Sequence, residues 1–406
     1  MNFSANTMRE SFYRGNDNKP AKRIFCVDLL RGLDIFYLVV IHYAFLAPGV
    51  FKVWPLKSTA AKVFWLHSVT AFAAPGQVPT GFGLLDFTQA LFIFVTGVSA
   101  SLAFRKFQRP DGGIDLAAFW KRLAQRTLML WAFGSLIRGV LTFKLFSGPD
   151  SALSFVFYSD TLHTIAVAYC AASIGLLLRR KLARLLVALG LIATAAVIMA
   201  CCGDYSQHGN AARLFEEFVY GKIGGHAKDF CYLLTTLTWA GMGILASLAG
   251  DVVKGSLAPW TKVKALSLAG VACIALGWTL SVWIPPIRYI YTVSFVFLTQ
   301  GGALLLLAAL YALTDIANVR RGTGLFILFG QCSLVSWMLI NYFGNSLTVA
   351  AERFVMGVPE LIGTKDYQPV FVGIVRMVLI ITLVWMWRRF RQSGRDAIKS
   401  RAVFVV

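Results

Sequence analysis

Residues 64–102 read FWLHSVTAFAAPGQVPTGFGLLDFTQALFIFVTGVSASL. This stretch joins a loop rich in proline and glycine to an apolar run that begins near Asp86. A helix of about 20 apolar residues, rising 1.5 Å per residue, is long enough to cross a hydrocarbon core of roughly 30 Å. The stretch therefore predicts a loop that returns to a membrane, followed by a membrane-spanning helix.

Similar apolar runs recur along the 406-residue chain, of which 57% is hydrophobic and 14% is charged. Soluble domains carry about 25% charged residues, so this composition excludes both a soluble globular protein and a disordered one. We predict an all-α polytopic integral membrane protein with about ten transmembrane helices. The predicted spans cover residues 24–46, 86–104, 122–143, 157–177, 183–202, 229–249, 265–283, 290–313, 323–343 and 368–387.

The basic residues alternate between loops, and most of the 39 lysines and arginines fall in every second loop. The positive-inside rule then predicts that both termini are cytoplasmic and that three long loops, 47–85, 203–228 and 344–367, lie outside. Topology explains the net charge of +20 better than a nucleic-acid partner does, because the cations are dispersed. The predicted organisation is a polar segment 1–22, a transmembrane domain 23–388 and a basic cytoplasmic tail 389–406.

The first predicted span carries three charged residues, Asp28, Arg31 and Asp34, at i,i+3 spacing. This spacing places them on one helical face, where they can pair. Ionisable residues inside a membrane mark a functional cavity by default, and the alternative is a charge cluster that fixes the helix end near the cytoplasmic surface. His42 lies two turns beyond Asp34, where it could line the same cavity or be a structural histidine.

His67 lies in an outer loop that prolines and glycines return toward the membrane. A near-neutral pKa suits histidine to act as a general base or a nucleophile, although a histidine in a surface loop is common. Asp86 begins the second span, where a carboxylate can cap the helix and complement its dipole or orient a histidine.

Further polar residues fall inside or beside later spans. His163 lies a turn inside the fourth span and could be a second cavity group, while Arg288 could bind an anionic group or only snorkel to the interface. Thr292, Ser294 and Gln331 are polar within apolar runs, where they could face a site or bond neighbouring helices. The cysteines lack ligand spacing, so we expect no metal.

Several segments stand in a fixed order: VDLLRGLDIFYLVVIHY, a histidine loop, GFGLLDFTQALFIFVTGVSASL, DTLHTIAVAY and PPIRYIYTVSFVF. This order resembles the catalytic domain of heparan-alpha-glucosaminide N-acetyltransferase and its bacterial relatives, over about residues 23–345. The positions that match the family's motifs are Asp28, Arg31 and Gly32; Gly81, Gly83 and Asp86; Phe92, Phe94 and Gly97; and Pro285 or Pro286, Tyr291, Thr292 and Ser294.

The resemblance implies a transmembrane acyltransferase of a bacterial inner membrane. Such an enzyme moves an acetyl group from cytosolic acetyl-CoA to a hydroxyl or amine of a glycan on the outer side, without a metal. The family's reacting histidine falls on His67, and a family asparagine falls on His42, so either imidazole could react. The partners would be acyl-CoA, a sugar acceptor and the bilayer, with a homodimer as one option.

The rival interpretation of the same residues is a secondary transporter. In that case Asp28, Arg31, Asp34 and His163 would bind an ion or a substrate. Composition and span number fit both classes, so the choice depends on chemistry at the site.

Overall fold

A computed structural model describes residues 24–46, 83–111, 113–137, 161–220, 231–361 and 367–403. This part of the chain is helical, without a strand. The helices are α1 (Phe25–Leu46), α2 (Leu84–Phe104), α3 (Leu116–Ile137), α4 (Thr161–Gly175), α5 (Lys181–Cys201), α6 (Ala211–Tyr220), α7 (Thr235–Lys254), α8 (Pro259–Ser281), α9 (Val293–Tyr311), α10 (Gly324–Gln331), α11 (Ser333–Val355) and α12 (Gln368–Val403).

Seven of these helices are long and apolar enough to cross a membrane, and the bent pair α10–α11 raises the number to eight within the described residues. Helix α4 is apolar but only 15 residues long, and α3 carries Lys121, Arg122 and Arg126 within its span. Each predicted span overlaps a helix or, at 323–343, a bent pair of helices, which confirms the all-α architecture and fits a multi-pass membrane protein. The number of ten and the cytoplasmic location of the termini stay predictions.

Several predicted span boundaries differ from the structure, and the ninth span differs most. The single span at 323–343 is instead two helices bent by 77° at Cys332, whose φ of −109° and ψ of 21° lie outside the α-helical range. The predicted tail from residue 389 is continuous with α12, which runs to Val403. Helix α1 also changes character, being α-helical over Phe25–Ile35 and π-helical over Phe36–Leu46.

Helices α1, α2, α7 and α9 form the centre of the molecule, and their apolar side chains are buried against one another. Helices α5 and α8 are equally apolar but lie largely exposed on the outside. On these two helices Leu182 is 65% exposed and Leu268 is 73% exposed. Exposed apolar helices around a packed interior fit lipid rather than water as the surrounding medium.

Close helix contacts occur where glycines replace side chains. A Cβ atom added at Gly32 of α1 would overlap the backbone of Phe326 in α10, and one added at Gly330 would overlap the carbonyl oxygen of Asp28. Small residues let membrane helices approach until their backbones touch. The two glycines therefore fix α10 against α1, beside the charged residues of the first span.

Candidate functional site

Two cavities lie within the helix bundle. We call the end at which α1 begins and α2 ends the basic end, because Arg105, Arg109, Arg179 and Lys181 lie there, and the other end the opposite end. The distal cavity lies toward the opposite end, and the proximal cavity lies toward the basic end. In the orientation that the positive-inside rule predicts, the opposite end lies on the outer side of the membrane.

The distal cavity has a volume of about 390 Å³. Its polar lining residues are His42, Thr88, Gln89, Arg288 and Asn341. Ligand pockets range from roughly 300 to 1,000 Å³, so this one is large enough for a small substrate. A cavity with several polar groups inside an apolar bundle requires water or a polar ligand.

His42 lies on the π-helical part of α1 and is 9% exposed. Its ring packs edge-on against Tyr43, with centroids 4.8 Å apart, and its Nδ1 has no hydrogen-bonding partner among the described residues. Since π-helical segments are frequent at functional sites, this location favours a functional role. An imidazole that lines a cavity and keeps one nitrogen unbonded is able to accept a proton there.

Asp86 is fully buried at the first turn of α2. Its Oδ2 accepts a hydrogen bond from the backbone N–H of Gly83 at 2.9 Å, which caps the helix as the sequence predicts. Its Oδ1 lies 3.8 Å from Nη1 of Arg288. Asp86 therefore both starts α2 and places the guanidinium of Arg288 at the distal cavity.

The segment that carries Arg288 is held in a defined turn before α9. The Thr292 hydroxyl donates to the carbonyl of Pro285 at 2.8 Å and accepts from the N–H of Ile287 at 2.9 Å. Tyr291 adopts φ +49°, a region unfavourable for a residue with a large side chain, and its buried ring packs on Trp239. Strained backbone of this kind persists where surrounding packing imposes it, and here it fixes the approach of Arg288.

The proximal cavity has a volume of about 180 Å³ and opens toward the basic end. Arg31 lines it and donates a hydrogen bond to the hydroxyl of Ser99. Arg126 also lines it and lies 5.1 Å above the ring of Tyr169. Two guanidinium groups in the lining of a mainly apolar cavity suit a ligand with an anionic portion.

Only a thin layer separates the two cavities. Phe92, Thr161 and Trp337 line both, so the distal and proximal cavities meet at these three side chains. The arrangement places His42 and Arg288 on one side of the wall and Arg31 on the other.

Other predicted site residues lie away from both cavities. His163 is buried against α3, with its ring 4.4 Å from that of Trp131 and its Nε2 3.2 Å from the Ser135 hydroxyl. Ser294 lies 3.3 Å from the Thr292 hydroxyl, beneath the Arg288 turn. Gln331 ends α10 at the 77° bend, instead of lying in the middle of a span.

The expected pairing along the first span is incomplete. Asp34 is buried, and neither of its carboxylate oxygens has a hydrogen-bonding partner in the described part of the chain. Arg31 donates to Ser99 on α2, a bond that i,i+3 spacing does not predict, because that spacing describes only side chains of one helix. Asp28 is half-buried next to the contact of Gly32 with α10.

His67 falls within residues 47–82, outside the described residues, so its predicted role stays a prediction. The structure adds residues that the sequence analysis did not single out, above all Trp337 and Gln89, and it places the motif residue Phe92 between the two cavities. Gln89 donates to the Thr164 hydroxyl at 3.2 Å. It lies one turn after Asp86 within an apolar run, and that i,i+3 pair of polar residues was the available signal.

No protein-family model matches the chain, and no curated protein matches it either. Within the described ranges, no group of three or more His, Cys, Asp or Glu side chains is arranged to hold a metal ion. The case for a function therefore depends on the cavities and on the resemblance of the motifs.

Proposed function

We propose that this protein is a transmembrane acyltransferase that uses acyl-CoA as donor and acylates a hydroxyl or amine of a glycan or related acceptor on the outer side of a bacterial inner membrane. The observation that carries the proposal is the shared wall of Phe92, Thr161 and Trp337 between two cavities that face opposite ends. A donor and an acceptor that approach from opposite sides of a membrane must meet at such a wall.

The proximal cavity suits the donor. Its volume of about 180 Å³ is too small for a whole coenzyme A, so it would take the acyl-bearing arm while the nucleotide stays toward the basic end. Arg31 and Arg126 would stabilise the anionic portions of the donor. Bringing the thioester to the wall is then a matter of positioning, which supplies a large part of such catalysis.

The distal cavity suits the acceptor and the chemistry. A neutral imidazole there removes the proton of the acceptor's hydroxyl or amine, and the acceptor's oxygen or nitrogen attacks the thioester carbonyl. The C–S bond breaks, and the leaving thiolate takes the proton from the imidazolium. Arg288, held by Asp86, would stabilise the charge that develops on the carbonyl oxygen. His42 has the position for this role, and His67 is the candidate from the resemblance.

Substitution of each histidine tests the proposal. Purified protein in proteoliposomes is given radiolabelled acetyl-CoA, and release of free CoA and transfer of label are measured. His42→Ala or His67→Ala should lower turnover by about 10²- to 10⁴-fold, the usual contribution of a general base. The control is His208→Ala, because His208 is exposed and bonded to Arg213. Full turnover in both His42→Ala and His67→Ala would show that the proposal is wrong.

A secondary transporter is the second candidate, and buried Asp34 favours it. A carboxylate inside a bundle without a hydrogen-bonding partner is typical of proton-coupled sites. The transporter interpretation predicts uptake of a labelled sugar in proteoliposomes, loss of uptake in Asp34→Asn, and no CoA release. The acyltransferase interpretation predicts CoA release that persists in Asp34→Asn.

A further inference from the structure

A third cavity of about 600 Å³ lies at the basic end, between the ends of α2, α4, α5 and α7. We call it the basic cavity. Its basic lining residues are Arg105, Arg109, Arg179, Lys181, Arg184 and Lys254. Among the described residues, none lines both this cavity and the distal or proximal one, so the inference below is independent of the proposed acyl transfer.

One carboxylate lies in the wall of the basic cavity, and its oxygens are already engaged. Asp251 accepts from Arg184 through one oxygen, and through the other from Lys254 at 2.7 Å and Ser101 at 2.7 Å. The remaining cations of the wall outnumber this single negative charge. The basic cavity therefore carries a surplus of positive charge and attracts anions.

Arg184 is the most deeply buried cation of this wall. It is only 4% exposed, and its Nε has no hydrogen-bonding partner within the described ranges although it lines the cavity. A buried guanidinium with an unused donor costs free energy unless an acceptor reaches it. An anion in the cavity would supply that acceptor and add a charge-assisted hydrogen bond.

An apolar track begins at the same cavity. Leu178 lines the cavity and is 39% exposed, and Leu182 and Leu186 continue on the exposed face of α5 at 65% and 60%. The two α5 leucines are four residues apart, so they form one stripe along a membrane-facing helix. A ligand with an anionic head and apolar chains complements both parts, whereas a free phosphate complements only the head.

We infer that the basic cavity binds the phosphate headgroup of an anionic phospholipid, whose acyl chains lie along Leu178, Leu182 and Leu186. Basic pockets between transmembrane helices on the cytoplasmic side bind headgroups in this way. Such a lipid would join α5 to α2 and α7 at the end of the bundle where the cations repel one another.

The test measures lipid binding to the purified full-length chain in a neutral detergent, with phosphatidylglycerol and phosphatidylcholine as probes. Wild-type protein should retain phosphatidylglycerol in preference to phosphatidylcholine, and increasing salt should weaken that preference. Arg179→Gln with Lys181→Gln should lower the affinity for phosphatidylglycerol by about 25-fold, or about fivefold per charge removed. These two substitutions do not change the buried pair of Arg184 and Asp251.

The matched control is Lys121→Gln with Arg122→Gln, which removes two exposed charges at the same end of the bundle. Neither residue lines any of the three cavities. This control should bind phosphatidylglycerol as the wild type does. Equal binding of the two lipids by wild-type protein, or an equal loss in both double variants, would overturn the inference. Displacement of phosphatidylglycerol by coenzyme A or inorganic pyrophosphate at micromolar concentration would overturn it in favour of a soluble phosphate ligand.

Discussion

At the scale of single residues, Asp86 and Arg288 decide the geometry of the distal cavity. One begins α2 and the other precedes α9, about 200 positions later in the chain. The carboxylate is fully buried and the guanidinium is 13% exposed. Removing one partner of a buried pair leaves an uncompensated charge, which costs more than the pair contributes.

We therefore predict that Arg288→Met destabilises the fold by about 3 kcal/mol, in the range observed for broken buried pairs. Thermal unfolding in detergent micelles measures the loss. The double variant Asp86→Asn with Arg288→Met contains neither charge, so no unpaired charge stays buried. Most of the stability should therefore return, while acyl transfer stays low.

The cycle of these two variants separates pairing from packing. A double variant as unstable as Arg288→Met alone would mean that Arg288 stabilises the turn before α9 by packing, and that the pair with Asp86 is incidental. The conservative variant Arg288→Lys keeps the charge but loses the planar fork, so it should restore stability better than activity.

At the scale of elements, α1 packs against α10 beside Arg31, the charged residue of the first span that lines the proximal cavity. Gly32 lies one position after Arg31, and its missing side chain lets the backbone of Phe326 approach. A side chain at this position has no room, because its neighbour is backbone and cannot rotate away.

Gly32→Ala should consequently destabilise the protein by about 1 to 3 kcal/mol, although alanine is the better helix former. The matched control is Gly190→Ala on α5, because a Cβ atom there meets nothing within 4 Å. It should raise stability by about 0.5 to 1 kcal/mol through helix propensity alone. Unfolding in micelles compares the two, and a stabilised Gly32→Ala would contradict this description of the α1–α10 contact.

The long apolar helices could be predicted from sequence, because each needs an apolar run of membrane length and little else. The bend at Cys332 could not, since no proline marks it in the sequence. The bond from Arg31 to Ser99 could not be predicted either. Ser99 lies 68 positions away, and helical spacing describes only neighbours on one helix.

Prediction of the candidate site was uneven for a physical reason. Polar residues such as His42, Asp86 and Arg288 stand out in apolar runs, because burying them costs free energy without a compensating partner. The wall between the cavities is made of Phe92, Thr161 and Trp337, two of them aromatic residues of a kind common throughout the chain. Their role arises only from the packing of α2, α4 and α11.

At the scale of the whole molecule, the proposals depend on which end faces the cytoplasm. The positive-inside rule places the basic end there, so that acyl-CoA would reach the proximal cavity and anionic lipid the basic cavity. In the reversed orientation the distal cavity would face the cytoplasm, and a cytosolic donor would not reach Arg31 and Arg126.

Native cysteines allow the orientation to be measured. Cys201 and Cys202 are exposed where α5 ends at the opposite end, whereas the other cysteines are buried or half-buried. A membrane-impermeant maleimide added to intact spheroplasts should therefore label the wild-type protein, and Cys201→Ser with Cys202→Ser should remove the label. Thiol reactivity needs access as well as a thiolate, so the buried cysteines contribute little.

The reciprocal measurement uses Lys106→Cys in the background without Cys201 and Cys202. Lys106 is exposed in the turn Arg105–Phe107 that follows α2 at the basic end. The new thiol should resist the reagent in intact spheroplasts and react after lysis, because the bilayer separates it from the outside. Labelling of this variant in intact spheroplasts, together with protection of Cys202 in the wild-type protein, would show that the topology is the reverse of the predicted one. The wall between the cavities would remain, but a donor from the cytosol would then meet His42 and Arg288 first.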